Sequence, residues 1–129
     1  MRRFALRLRT LRQEQGGAAA VEFAIIAPMF FALLLSVIDV GRYMWTLNTI
    51  QYATDEAVRA GAIQELSNAE IKNRVAEAVA PISSTEVAVT VASSSDALTV
   101  TANSTYRFFF PISAFVSGAP IDIRSEMPF

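Results

Sequence analysis

Neither cysteine nor histidine occurs in the 129 residues. The first absence excludes disulfide bridges and thiol nucleophiles. The second excludes imidazole bases, and together they remove nearly all zinc and copper sites. A domain built from this chain must therefore hold together by packing. There is no glycine-rich phosphate loop, and the scattered serines have no histidine to activate them. Asp55 and Glu56 are adjacent and so fall on different parts of a helix face, which gives no acid–base pair. Internal repeats and low-complexity tracts are also missing. These gaps point away from an enzyme, a cofactor, a metal or a small-molecule substrate.

Charge is missing from the longest apolar stretch. Phe23 to Ile38 is sixteen residues without one, and extending back to Ala18 gives twenty-one with Glu22 as the only ionisable side chain. A helix needs about 20 mostly apolar residues to cross ~30 Å of hydrocarbon. Here they go all the way round, whereas a core helix keeps one polar face, and a chain of 129 residues has little left to surround it. One anchor followed by one small domain is the expectation.

Basic residues are scarce everywhere except at the start. Arg2, Arg3, Arg7, Arg9 and Arg12 are five of the eleven, and Glu14 is the only acid before Gly17. Only Arg42 and Arg59 are basic in the comparable stretch after the run, so the positive-inside bias puts the N-terminus in the cytoplasm and the C-terminal domain outside. A nucleic-acid arm or a patch for anionic lipid would use the same arginines, but topology already accounts for them. A secretory signal would have an apolar region of about 7 to 15 residues and a small-x-small site after it. SVIDVGRY offers no such site, and the small residues Gly16 to Ala20 lie on the cytoplasmic side instead. From Ala18 on, six basic residues face eleven acidic ones, a formal charge of -5, which argues against nucleic acid as partner.

Two residues interrupt the run. An ionised side chain costs about 2.5 to 3.5 kcal/mol at the centre of a spanning helix and less near an end, so Glu22 either snorkels to the headgroups or is neutralised by a cation at its own depth. Pro28 deletes one backbone bond and should bend the helix, which neighbouring groups in lipid tolerate.

Gly17 followed by AAAVEF, an apolar helix, DVGRY at Asp39 to Tyr43 and then a polar helical stretch resembles the TadE-like proteins, pseudopilins of the tight-adherence (Flp) pilus system, over Gly17 to Ile63. The resemblance implies cytoplasmic cleavage between Gly17 and Ala18 by a prepilin peptidase. It gives Glu22, followed by Phe23, a role in peptidase recognition and subunit assembly. The amino group of Ala18 would then lie at the same membrane depth as Glu22. Other pilins or pseudopilins and the Tad secretion machinery are the implied partners, and Pro28 becomes either a flexible point for extraction into a filament or a harmless kink. Asp39 departs from the pattern, since many relatives have Glu there, but the charge is kept. The division expected is a basic leader over 1–17, a transmembrane helix over 18–40 and an extracytoplasmic pilin-like domain over 41–129. A different reading of the same residues is an unprocessed single-pass protein whose outer domain binds a ligand or an envelope component.

Beyond the run, Asp39 and Arg42 are three apart and so placed to pair at the outer interface, with Tyr43 and Trp45 as an aromatic belt. Positions 43, 47, 50, 54, 57 and 61 recur at spacings of four and three, which continues the helix with a stripe facing a domain core or another subunit. Ser67 and Glu70 form a capping-box pattern, Ile71, Val75 and Val79 recur every fourth residue, Glu70 and Arg74 are spaced to pair, and Pro81 stops this second helix. From Thr85 the period becomes two. Val87, Val89 and Val91, the turn signal SSSD, and Leu98, Val100 and Ala102 predict a hairpin. Tyr106, Phe108 and Phe110 extend its second strand to Pro111, and IDIRSEM supplies a third. The cluster of Phe108, Phe109, Phe110 and Phe115 either packs under the 111–120 loop or turns Phe109, opposite in alternation to Phe108 and Phe110, to a contact surface. The predicted class is α+β: a long N-terminal helix, half membrane-spanning and half amphipathic, a short second helix and an antiparallel sheet of about three strands.

Overall fold

The computed structural model describes residues 15–82 and 86–128, with side chains from Gly17 on. The arginines of the expected leader lie outside these residues.

Helix α1 (Gln15–Gln64) runs through Pro28. Up to Leu35 it forms a unit of its own. Its apolar stretch is long enough to cross a membrane, and none of it is buried. That excludes a core helix, which hides one side from water.

The second unit begins at Ser36 and holds everything that follows. Within it α1 becomes one-sided. Ile50, Ala53, Thr54, Ala57, Val58, Ala60 and Gly61 are buried, which places the predicted stripe in the domain core. Thr54 is fully buried and donates its hydroxyl to the Ile50 carbonyl at 2.7 Å, so a polar side chain enters the core already satisfied. The helix ends by reversal: Glu65 takes a left-handed φ of 50° and the Leu66 amide donates to the Gly61 carbonyl at 3.3 Å.

Helix α2 (Asn68–Val79) starts on the predicted capping box. The Glu70 carboxylate accepts from the Ser67 amide at 2.9 Å and the Ser67 hydroxyl at 2.7 Å. These bonds hold the Glu70 carboxyl below the ordinary carboxylate range. Arg74 adds the smallest contribution to that shift. The expected Glu70–Arg74 pair is replaced by an Arg74 bond to Gln64 Oε1 at 3.3 Å, because the capping box has already claimed the carboxylate. Ile71 and Val75 are buried against α1, and a 3-10 turn over Ala80–Ile82 carries Pro81.

Strands β1 (Val87–Ser93), β2 (Ala97–Tyr106) and β3 (Ala119–Pro128) form an antiparallel sheet in that order. The register sets Val91 opposite Val100 and Ala102 opposite Ile123, so one face collects the apolar side chains. Leu98 and Val100 pack with Ala53, Ala57, Val58, Ile71 and Val75. Further along, Ala102, Tyr106 and Ile121 close on Ile50. The third strand is longer than IDIRSEM alone and includes Pro120 and Pro128, which an edge strand accommodates.

The second strand is shorter than its alternation suggests. It stops at Tyr106, and Phe108 and Phe110 do not share a strand face: Phe108 is half-buried, and Phe110 is exposed. Phe109, Phe110 and Phe115 are 55%, 70% and 88% exposed, so the 111–120 loop does not bury them.

Candidate functional site

The residues assigned by the sequence fall into two groups. Gly17, Ala18, Glu22, Phe23 and Pro28 all lie on α1 before Leu35, and all are exposed. Among the described residues, a Cβ built on Gly17 meets nothing within 4 Å. Glu22 is exposed among exposed apolar neighbours, with Val21 and Phe23 on either side. A long apolar surface with one carboxylate is costly in water and stable only when lipid or other apolar segments cover it.

Asp39 and Arg42 lie in the second unit and serve different partners. Asp39 is only 4% exposed. Its carboxylate accepts from the Tyr106 hydroxyl at 2.8 Å and from the Phe109 amide at 2.7 Å. A carboxylate buried this deeply requires such donors, because leaving it unpaired would cost several kcal/mol. The Arg42 guanidinium lies 4.8 Å from the centre of the Phe109 ring. The expected Asp39–Arg42 pair is therefore replaced by two separate ties from α1 to the segment after β2. The Phe109 amide is spent on Asp39 and is lost to the sheet.

Around this link the aromatic rings pack against one another. Tyr43 lies 5.4 Å from Tyr106, Tyr106 lies 5.2 Å from Phe108, and Tyr43 lies 5.7 Å from Phe108. Tyr43 thus belongs to the domain, while Trp45 is 68% exposed. Burial, followed by the Asp39 hydrogen bond and charge, pushes the Tyr106 hydroxyl up to about 12.

The Asp39–Tyr106 bond was beyond sequence reasoning, since its partners are 67 residues apart. The available signal was an acid ending an apolar run, followed far downstream by a tyrosine alternating with buried residues. Among the described residues, the hollow lined by Asp55, Arg59 and Arg124 is open to solvent. Among the described residues no group of three His, Cys, Asp or Glu side chains is arranged to hold a metal.

No curated protein and no solved structure is significantly similar to this chain. Residues 17–59 match the family model described as TadE-like protein, a stretch that takes in Gly17, Glu22, Asp39 and Arg42. Through this segment of α1, about a third of its length, the chain is similar to TadE-like proteins.

Proposed function

We propose that the chain is a membrane-anchored pseudopilin, a structural or assembly component of a tight-adherence pilus. A prepilin peptidase cuts it between Gly17 and Ala18 on the cytoplasmic side. The observation that carries this reading is the exposure of the whole apolar stretch of α1 with Glu22 as its single charge, five residues after Gly17.

The physical logic is charge neutralisation in lipid. Cleavage creates an ammonium on Ala18, and Glu22 compensates it in its own chain or in a neighbouring subunit when the apolar helices pack away from water. Phe23 belongs to the surface that the peptidase and adjacent subunits read. Pro28 leaves one backbone carbonyl without its helical donor, a weak point at which the helix flexes on leaving the bilayer. The domain from about residue 41 lies outside the cytoplasmic membrane, where it meets other pilins or pseudopilins and the Tad secretion machinery.

Orientation tests the frame of this reading. A reporter active only outside the cytoplasm should work when fused after Phe129 and stay silent when fused at Met1. The reverse pattern would overturn it.

A further inference from the structure

The loop between β2 and β3 presents an apolar surface that the fold itself does not use. Phe110 is 70%, Phe109 55% and Phe115 88% exposed, and Val116 is exposed beside them. Residues 107–118 contain one charge, Arg107, and no acid. Exposed phenylalanines in such number are costly in water unless something covers them.

Where the loop is fixed indicates what covers it. The Asp39 carboxylate holds the Phe109 amide at 2.7 Å, and the Arg42 guanidinium lies over the Phe109 ring. Asp39 is the first charged residue after the uncharged run that ends at Ile38. Both ties therefore hold the loop level with the last turn of that run, within the same folded unit. The Asp39 carboxylate is buried and hydrogen-bonded, which leaves a surface of phenylalanines with the exposed Arg42 and Arg107 beside it. Aromatic rings beside basic side chains match the headgroup boundary of a bilayer, where rings enter the acyl edge and cations meet phosphates.

We propose that the 107–118 loop is a second membrane contact, dipping Phe109, Phe110 and Phe115 into the headgroup boundary of the bilayer that α1 crosses. The proposal rests on the membrane anchorage argued above. The Asp39–Phe109 and Arg42–Phe109 ties then set how the domain rests on the membrane before assembly, and leaving the bilayer strips lipid from the loop as well as from α1.

The absence of cysteine allows single-site labelling of the full chain. Phe115→Cys, Phe30→Cys and Ser95→Cys would each carry an environment-sensitive dye in vesicles of phosphatidylethanolamine and phosphatidylglycerol. Ser95 is exposed in the β1–β2 turn, at the opposite end of β2 from the loop. The expected result is quenching by lipid-borne nitroxide at positions 115 and 30, and quenching by iodide at 95 alone. Iodide quenching at 115 with lipid quenching at 30 would overturn the loop contact and leave the anchor intact. Iodide quenching at both would overturn the anchor and the loop contact together. A label at 115 shielded from both quenchers would overturn the lipid assignment in favour of a protein cover.

Discussion

The Tyr106 hydroxyl donates to the Asp39 carboxylate at 2.8 Å, joining the end of the central strand to the helix turn that follows the apolar run. Both residues are buried, and Asp39 also takes the Phe109 amide. One carboxylate therefore ties the end of a strand, fixes a loop and seats an aromatic cluster.

Removing that carboxylate should cost more than removing the hydroxyl. Asp39→Ala strands a buried hydroxyl and a backbone amide, for a loss of about 2 to 4 kcal/mol, whereas Tyr106→Phe leaves Asp39 with one donor and costs about 1.5 to 3 kcal/mol. Urea unfolding of the full chain in detergent micelles checks the order. An Asp39→Ala variant as stable as the parent would show that the link is incidental.

The same bond predicts an alkaline limit. The unfolded chain releases the Tyr106 proton near its ordinary value of 10.0, while the folded chain holds it to about 12. In that window the fold binds the extra proton, so the contribution is complete below about pH 10 and is lost as pH rises to about 12. Unfolding midpoints of the parent should fall across this range more steeply than those of Tyr106→Phe. Equal slopes would contradict the assignment.

Gly61 is held to its size by the core. A Cβ there would come within 2.7 Å of both Ile71 Cδ1 and Leu98 Cδ2, and both side chains are buried. Gly61→Val should therefore destabilise by about 1 to 3 kcal/mol. A Cβ on Gly41, by contrast, would meet nothing within 4 Å. Gly41→Ala should gain up to about 1 kcal/mol from helix propensity. Thermal unfolding of the two variants should move in opposite directions.

Glu65 closes α1 at a φ of 50°, a conformation that disfavours side chains with a Cβ. Glu65→Gly should raise stability by about 0.5 to 1 kcal/mol, since glycine suits the reversal after a helix. A loss of stability on chemical denaturation would mean that the Glu65 side chain contributes an interaction outweighing its backbone strain.

What was legible in the sequence was local. The stripe through Ile50, Thr54 and Ala57, the Ser67–Glu70 box and the alternation from Val87 to Ala102 each follow from a periodicity or a short hydrogen-bond pattern, and all three appear in the fold. The departures come from partners far away in the chain. Phe108 and Phe110 keep strand spacing, yet β2 ends at Tyr106 and the Phe109 amide goes to Asp39, 70 residues earlier in the chain. Tyr43 reads as a belt residue until Tyr106 and Phe108 pack against it. Of the residues proposed for processing and assembly, Glu22 and Gly17 were visible because a charge and a small residue are conspicuous beside an apolar run. The roles proposed for them involve a peptidase and neighbouring subunits outside this chain.

Glu22→Gln separates those roles. If Glu22 neutralises the Ala18 ammonium, the variant should insert at least as well as the parent and still lose its leader, while co-purifying poorly with other pilus components. Loss of cleavage would assign Glu22 to peptidase recognition, and retention of both would reduce it to a snorkelling side chain.

The most direct test of the central claim is the intact mass of the protein extracted from membranes of cells with an active prepilin peptidase, compared with Gly17→Leu. The account predicts that the parent begins at Ala18 and that Gly17→Leu keeps its full leader while remaining membrane-bound. A parent that still begins at Met1, or a Gly17→Leu variant shortened like the parent, would contradict it.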